Sequence, residues 1–395
     1  MEQKIKEISS SIFAEIVEIR RHLHANPELS FEEYNTSNYI QQVLDHYKIP
    51  YKAGWVKTGI IAHIEGKNPC KKIIALRADL DALPIQEINE TEYKSKNDGV
   101  MHACGHDVHS ASLLGASIIL NQLKDQFEGT IKLIFQPGEE KLPGGAKLLI
   151  EEGGLKNPDA EIIIGQHVFP EMEQGKVGFR AGMYMASTDE IHLKISGRGG
   201  HAALPHQYDY VTLAAADFIV SANNLHLSTM NQTSKSVLAF GKIIANGATN
   251  VIPSEVKIEG TLRTLDENYR EKMHELLMNE AIKLAEKYAC NFHLDIKKGY
   301  PVLHNNESLT NECIDAAKKY LGDDQVEMLD IRMTAEDFAY YSQEIPACFY
   351  RLGTGNKQKG ITASVHTSSF DIDENALKDG CGLMAYLAIK VLEKH

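Results

Sequence analysis

The sequence predicts an α/β protein: a domain with a mixed, mostly parallel sheet, into which a ferredoxin-like α+β (βαββαβ) domain is inserted. Up to about residue 180, helix-patterned segments alternate with near-continuous apolar runs. From about 185 to 297, apolar and polar residues instead alternate with a period of two. At 395 residues the chain is also longer than one compact core usually supports. We expect residues 1–184 and 298–395 to form the larger domain and residues 185–297 the inserted one.

The first part of the chain predicts helices packed on a buried sheet. A helix is expected over about residues 3–24, and KIIALRAD (72–79) is typical of a strand that is buried on both faces. The pattern then predicts a helix at 110–125 and buried strands at 131–138 and 161–168. This order indicates helices layered on a mostly parallel sheet.

The middle of the chain predicts a complete small domain. Its elements are expected in the order strand, helix, strand, strand, helix, strand, at 189–197, 208–225, 236–245, 255–265, 267–288 and 291–299. That order is typical of a ferredoxin-like unit. After about residue 298 the α/β pattern returns and runs to a final helix at 378–395, so the chain leaves the first domain and comes back to it.

Composition excludes several classes of partner and location. The net charge of −13 argues against nucleic acid, since phosphate binding needs a basic surface. No apolar run reaches the ~18 residues that a membrane helix requires, and the charged start lacks the apolar core of a secretory signal. The six cysteines have no paired spacing and are expected to be reduced thiols. We expect a cytoplasmic protein.

The first candidate site residues are Cys104 and His106, in MHACGHDVH (101–109). The motif lies between a strand-rich segment and a helix, and we expect it on the connecting loop. A thiolate and an imidazole two residues apart can reach one borderline metal ion. The alternative is a buried cysteine beside a surface histidine.

A pair of carboxylates follows the next strand. In FQPGEEKLPGG (135–145) the strand ends at Pro137 and Gly138, and Glu139 and Glu140 enter a loop rich in glycine and proline. Sites are commonly built at the carboxyl ends of buried strands. There one glutamate could bind a metal while the other acts on a water molecule. The alternative is that the two adjacent glutamates are simply solvent-exposed charged residues.

Two histidines complete the set. His167, in IIIGQHVF, is expected at the end of a buried strand, and His366 lies in ITASVHTSSF. Either could be a core histidine, but together with Cys104, His106 and the glutamates they supply the ligands of a zinc- or manganese-type site. A structural zinc site is closed by four ligands and needs no base beside it, so the second glutamate favours an enzyme over a metal-storing or structural protein.

These motifs belong to a longer ordered series, which resembles the aminoacylase/carboxypeptidase family of metallopeptidases. The likeness is to its amidohydrolase branch, with hippurate hydrolases, N-acyl-L-amino acid amidohydrolases and plant indole-acetyl-amino-acid hydrolases. The matching stretches are RRHLHANPELSFEE (20–33), RADLDALPIQE (77–87), HACGHDVH (102–109), FQPGEE (135–140), GRGGHAALPH (197–206), TNVIPSEVKIEGTLRT (249–264), TAEDFAYY (334–341) and HTSSF (366–370).

The resemblance implies roles in the larger, catalytic domain. One or two divalent ions (Zn, Mn, Co or Ni) would be held by Cys104, His106, Glu140, His167 and His366. Glu139 would be the general base of amide hydrolysis by a metal-activated water. Asp79 and Asp81 would lie near the site and orient a ligand histidine.

The resemblance also gives the inserted domain a role as a lid and dimerisation domain. His201 would donate to the oxyanion of the tetrahedral intermediate, and Asn250 and Arg263 would bind the substrate's α-carboxylate. In dimeric relatives this histidine comes from the partner subunit, so a homodimer formed through the inserted domain is expected.

The expected reaction is hydrolysis of an N-acyl amino acid (acetyl, benzoyl or another acyl group) to a carboxylate and a free amino acid. The alternatives are an N-acetyl-diaminopimelate-type deacetylase and a dipeptidase or carboxypeptidase of the same family. Gln166, residues 141–143 and Tyr210 depart from the family pattern, which leaves the substrate preference open.

Overall fold

The computed structural model describes residues 1–230 and 235–394. The helices are α1 Glu2–Ser11, α2 Phe13–Ala25, α3 Tyr34–His46, α4 His106–Gln122, α5 Gly145–Glu151, α6 Val211–Thr229, α7 Glu267–Tyr288, α8 Glu307–Leu321, α9 Ala339–Glu344 and α10 Ala376–Lys394. The strands are β1 Tyr51–Trp55, β2 Gly59–Glu65, β3 Ile73–Asp79, β4 Thr130–Gln136, β5 Ile162–Glu173, β6 Val177–Phe179, β7 Gly182–Met185, β8 Asp189–Ser196, β9 Gly200–His201, β10 Ser236–Ile244, β11 Val251–Ile252, β12 Glu255–Thr264, β13 Asn291–Lys298, β14 Leu303–Asn305, β15 Val326–Met328 and β16 Ala347–Gly355.

The chain forms two compact units. The first comprises Met1–Met183, His304–Asp330 and Asp337–His395, and the second Tyr184–Leu303 and Ile331–Glu336. Tyr184, residues 298–303 and residues 331–336, which were expected in the larger domain, therefore group with the second unit.

The reason for this correction is hydrogen bonding that the linear pattern does not reveal. The backbone N–H of Arg332 donates to the carbonyl of Tyr184 at 2.8 Å, and the N–H of Ala186 donates to the carbonyl of Arg332 at 3.1 Å. Arg263 adds a side-chain bond, from Nη1 to the carbonyl of Met333 at 3.2 Å.

The sheet of the first unit is mixed and mostly parallel, as predicted. Within the described part of that unit it has eight strands in the order β1-β2-β4-β3-β5-β16-β6-β15. The central strands β4, β3, β5 and β16 run parallel to one another. Strand β2 is antiparallel to both β1 and β4, and β6 is antiparallel to β16 but parallel to β15. Every residue of β4 and β16 is buried, which is typical of strands covered on both faces.

Helix α4 lies in the middle of the core of the first unit. Its residues 106–120 are all buried, which fits a helix that is apolar on nearly every side. Gly115 lets α10 approach closely, because a Cβ at this position would lie 2.7 Å from the Cβ of Cys381. Among the described helices, none is both long and apolar enough to cross a membrane.

The second unit has the predicted ferredoxin-like topology. In its described residues, β8, α6, β10, β12, α7 and β13 follow one another, and the strands form an antiparallel sheet in the order β10-β12-β8-β13. The inward residues of β8, Ile191, Leu193 and Ile195, are buried with the apolar faces of α6 and α7. The alternation that predicted these strands thus reflects one covered face.

The first predicted helix differs from the structure. The expected first helix is two helices that meet at Ile12. Serine hydroxyls before the break bind helix carbonyls, Ser10 to that of Lys6 and Ser11 to that of Ile8, both at 2.7 Å, and such bonds compete with the helical pattern. The final helix ends at Lys394, and His395 lies outside the described residues.

Candidate metal centre

The loop that carries Cys104 turns directly into α4, and His106 is the first residue of that helix. The motif is therefore not wholly on a connecting loop, as the sequence analysis expected. Gly105 makes the turn possible. Its φ is +81°, and a Cβ at this position would lie 2.6 Å from Cγ2 of Val168. Cys104 and His106 are both buried.

The five candidate ligands converge in the first unit. The Sγ of Cys104 lies 3.5 Å from Nε2 of His167 and 3.2 Å from Nε2 of His366. The Oε1 of Glu140 lies 3.2 Å from the same nitrogen of His366 and 4.0 Å from Nε2 of His106. In each of three overlapping groups the ligand atoms lie within 4.8 Å of one another: Cys104 with His106 and His167, Cys104 with Glu140 and His366, and His106 with Glu139 and Glu140.

Two of the candidate ligand histidines have distinct backbone settings. His167 lies inside β5, which continues to Glu173, but it is beyond Gly165, the last residue that β3 pairs with. His366 has a φ of +62°, and its N–H donates to the carbonyl of Ala103 at 2.7 Å, which ties it to the residue before Cys104.

The residues present fit a divalent cation. Among the described side chains, Nε2 of His106 is a buried polar atom with no hydrogen-bond partner, and buried polar atoms rarely stay so without a ligand or ion. A set of one thiolate, three imidazoles and a carboxylate suits borderline ions such as zinc or manganese.

The electrostatics of the site also favour a cation. Burial, with the charges of Glu140 and Glu139, raises the pKa of the Cys104 thiol well above its usual value. Burial alone would lower the pKa of His106, but the carboxylates of Asp79 and Asp81 raise it to about 10. The nearby carboxylates contribute to both shifts, in addition to burial at Cys104, and binding of a cation would displace these protons.

The two aspartates hold different groups. Oδ1 of Asp81 lies 3.2 Å from Nδ1 of His106, which leaves Nε2 directed towards the ligand cluster. Oδ2 of Asp81 accepts from the N–H of Glu140 at 2.9 Å and from the hydroxyl of Ser30 at 2.6 Å. Asp79 is 3.8 Å from Nε2 of His106 and binds Nη1 of Arg77 at 2.6 Å.

His109 was not singled out from the sequence. The N–H of Val168 donates to its Nε2 at 2.8 Å, so its Nδ1 carries the proton and donates to Oδ1 of Asp79 at 2.6 Å. His109 thereby joins α4 to the strand of His167. The signal available was spacing, since His106 and His109 are three residues apart and share one helix face.

A second missed residue, Asp337, supports Glu139. Its N–H donates to Oε1 of Glu139 at 3.3 Å, and the Glu139 side chain is buried. The Asp337 carboxylate accepts from Arg77 at 2.6 Å, from Nε2 of Gln136 at 2.8 Å and from the N–H of Ala146 at 2.9 Å. The sequence analysis noted the stretch TAEDFAYY but gave Asp337 no role.

The remaining predicted site residues lie in the second unit. His201 is an exposed residue of β9, which pairs with Val251 of β11, and the carbonyl of Asn250 accepts from the N–H of Ala202 at 2.9 Å. Arg263 lies on β12, and burial lowers the pKa of its guanidinium. Their roles towards a substrate stay predictions.

The comparisons with known proteins agree with this architecture. Residues 75–390 match the sequence profile of Peptidase family M20/M25/M40, and the chain belongs to that family. The family and the hydrolase class predicted from the sequence are thereby confirmed.

Among individual relatives, the N-acetyl-L-cysteine deacetylase of Bacillus subtilis (strain 168) is 38% identical over 370 residues, which cover 93% of this chain and 86% of the relative. The thermostable carboxypeptidase 2 of Saccharolobus solfataricus is 35% identical over 398 residues, which cover 99% of each chain. A solved structure of a dinuclear metal-binding M20 peptidase from Bacillus subtilis superimposes with a TM-score of 0.84 at 33% identity, covering 98% of this chain and 99% of that one.

Proposed function

We propose that this protein hydrolyses the amide bond of N-acyl amino acids, using one or two divalent ions of Zn, Mn, Co or Ni. The ions would be held by Cys104, His106, Glu140, His167 and His366. The observation that carries the proposal is the convergence of these five side chains, with the ligand atoms of each overlapping group within 4.8 Å of one another, around a glutamate pair at a strand end. The relative that deacetylates N-acetyl-L-cysteine supports the substrate class.

The reaction needs a base, and Glu139 is the group placed for it. A divalent cation at this site supplies Lewis-acid polarisation of the amide carbonyl and lowers the pKa of a water molecule. Glu139, held at Oε1 by the N–H of Asp337, takes a proton from the attacking water as the new C–O bond forms. It then gives that proton to the leaving nitrogen as the C–N bond breaks, which yields a carboxylate and a free amino acid.

The second unit supplies the proposed substrate contacts. His201 would donate to the developing oxyanion, and Asn250 and Arg263 would bind the α-carboxylate of the amino acid. The lowered pKa of the half-buried Arg263 supports this role, because a bound carboxylate compensates a partly desolvated guanidinium.

A carboxypeptidase activity is the second candidate. One observation favours it: a relative named as a carboxypeptidase matches 99% of the chain at 35% identity. An N-acetyl-diaminopimelate-type deacetylase would need a second charged group for the distal end of its substrate. The three activities differ in the group on the acyl side of the amide, so substrate choice distinguishes them.

We also propose a homodimer formed through the second unit. Leu213, Val220 and Leu227 are exposed and seven residues apart, so they line one face of α6. The neighbouring strand β10 is an edge strand that exposes Val237 and Ile243. A second copy would cover both the apolar stripe and the open strand edge. The cytoplasmic location stays a prediction of the sequence.

A release assay tests the proposed activity. The purified protein, freed of metal and reloaded in turn with Zn, Mn, Co or Ni, is given N-acetyl, N-benzoyl and long-chain N-acyl amino acids, N-acetyl-diaminopimelate and dipeptides. We expect N-acyl amino acids to be cleaved fastest with at least one metal and the rate to disappear with chelator. Preference for dipeptides would establish the peptidase instead, and a rate unaffected by chelator would refute the metal mechanism.

A further inference from the structure

We propose that Glu33, at the end of the segment PELSFEE, is a positioning residue that holds the backbone of the loop carrying Glu139 and Glu140. This inference rests on the proposed function, because it concerns the geometry of the general base and of a metal ligand. The function proposed above does not involve Glu33.

Glu33 is fully buried and bound on both carboxylate oxygens. Its Oε1 accepts from the N–H of Phe31 at 2.8 Å and from the N–H of Gly138 at 2.9 Å. Its Oε2 accepts from the hydroxyl of Thr58 at 2.6 Å. Since all three partners can donate, the carboxylate is the form that satisfies them together. The bond to Gly138 fixes the residue directly before Glu139.

Phe31 also contacts Gly138. It has a φ of +67°, which is unusual for a bulky residue, and Glu33 holds this conformation through the N–H of Phe31. Gly138 has a φ of +65°, and a Cβ on it would lie 2.3 Å from the ring of Phe31. The ring therefore packs directly on the backbone of Gly138. Strained conformations of this kind persist where the surrounding structure holds them, often next to functional sites.

A second set of hydrogen bonds from the same segment reaches Glu140, the residue directly after Glu139. The hydroxyl of Ser30 donates to Oδ2 of Asp81 at 2.6 Å, and the same oxygen accepts from the N–H of Glu140 at 2.9 Å. The backbone N–H groups before and after Glu139 are thus each bound by a buried carboxylate, that of Glu33 or that of Asp81. This arrangement restricts the direction of both glutamate side chains.

Burial of the Glu33 carboxylate costs free energy. Burial, together with the charge of Asp81, raises the pKa of Glu33 to about 7. A buried ionisable group that serves packing alone could be replaced by an apolar one. Its placement on the backbone of Gly138 gives it a positional role, and small displacements of catalytic groups have large effects on rate.

The test compares Glu33→Ala, Glu33→Gln and the neighbouring control Glu32→Ala in the full chain. Glu32 is exposed on the same segment. The glutamine amide keeps an oxygen for the two N–H donors, and its NH₂ group can donate to the Thr58 hydroxyl. Three quantities are measured for each variant: Mn²⁺ affinity by titration of the metal-free protein, kcat and KM for an N-acyl amino acid, and Tm.

We expect Glu33→Ala to weaken Mn²⁺ binding and to lower kcat at saturating metal, each by about ten- to hundredfold, with little change in KM. Glu33→Gln should stay within about threefold of the wild type, and Glu32→Ala should equal it. Wild-type Mn²⁺ affinity and kcat in Glu33→Ala would overturn the inference, as would a loss in Glu33→Gln as large as in Glu33→Ala. If the Tm shows that Glu33→Ala does not fold, Glu33→Gln and Thr58→Val are used in its place. Thr58→Val should lower kcat several-fold with KM unchanged. Wild-type behaviour of Thr58→Val would overturn the inference.

The experiment can reject the positioning role of Glu33 without rejecting the proposed function. Metal titration needs no substrate, so the positioning of Glu140 can be judged even if the substrate class is wrong. A wild-type protein that binds none of Zn, Mn, Co and Ni and cleaves no N-acyl amino acid would reject the proposed function. A fully active wild type with an unaffected Glu33→Ala would reject the positioning role alone.

Discussion

Two buried polar clusters, one in each unit, have similar residue types but opposite character. In the second unit the carboxylate of Asp189 accepts from Nε of Arg270 at 2.9 Å and from the N–H of Gly299 at 3.0 Å, and lies 2.7 Å from Nε2 of His274. In the first unit the candidate ligand cluster around His106 and Glu140 includes a buried atom, Nε2 of His106, without a hydrogen-bond partner among the described residues.

The difference teaches how to separate a structural cluster from a ligand site. Around Asp189 the charge of a guanidinium is matched and the polar atoms are paired, so the cluster needs nothing further. In the first unit, burial and the charges of Glu140 and Glu139 raise the pKa of Cys104, and the carboxylates of Asp79 and Asp81 raise that of His106. A buried cluster of this second kind becomes favourable only when a cation joins it.

The largest expected effect is that of Glu139→Gln on the rate. Replacing the carboxylate by an amide removes the base but keeps the shape, so kcat should fall by about 10²–10⁴-fold, while Mn²⁺ affinity stays close to that of the wild type. Steady-state kinetics at saturating metal and titration of the metal-free protein check both parts. Glu151→Gln, at an exposed position of α5, is the matched control. A variant rate within a few-fold of the wild type would exclude Glu139 as the base.

The next effect should be on stability and should leave the metal site alone. Asp189→Asn leaves the buried Arg270 with only the partly exposed Glu267 as a charged partner, which should lower the free energy of unfolding by about 3 kcal/mol. Mn²⁺ affinity should not change. Denaturant unfolding measures the loss, with the exposed Glu190→Gln as the control, for which about 0–1 kcal/mol is expected.

The same variant has a pH dependence of definite sign. Burial alone would raise the pKa of Asp189, but Arg270 and His274 lower it from 3.8 to about 2. A carboxylate whose pKa is lower in the folded state contributes stability above about pH 3.8, and this contribution is lost as the pH falls towards 2. The difference between the wild type and Asp189→Asn should therefore shrink over that interval. A constant difference would show that the ion pair does not stabilise the second unit.

The smallest of these effects is expected for a single ligand of the first unit. Cys104→Ala should weaken Mn²⁺ binding by more than the roughly ten- to hundredfold that loss of an outer hydrogen-bond partner causes. It should also reduce the rise in Tm that added Mn²⁺ produces, because that rise follows the affinity. Thermal unfolding with and without Mn²⁺ measures it, and Cys70→Ala, at an exposed cysteine, is the control. Equal Tm shifts in both variants would contradict a ligand role for Cys104.

Much of this architecture could be predicted because it depends on the order of apolar and polar residues within short stretches of the chain. Continuous apolar runs identify the central strands of the first unit, and period-two alternation identifies β8 and β12 of the second. Metal-binding residue types at the ends of successive elements predicted where Cys104, Glu140 and His167 would meet. These features depend on residues close to each other in the chain and on the regular geometry of sheets.

The parts that could not be predicted depend on contacts between distant segments. Asp337 reaches Glu139 across 198 positions and Gly138 is bound by Glu33 across 105, and no spacing rule joins such pairs. Residues 331–336 join the second unit through the backbone bonds of Arg332 with Tyr184 and Ala186. Nothing in their own composition distinguishes them from the segments on either side.

The sequence alone thus predicted which groups could form a metal centre and which fold would hold them, because residue type, periodicity and the ordered family motifs all lie in the linear chain. Only the tertiary structure decided which groups orient them: Asp81 on His106, His109 on Asp79 and Glu33 on Gly138. The physical reason is that a hydrogen bond needs its partners within about 3 Å. Chain folding alone brings segments so far apart in sequence to that distance.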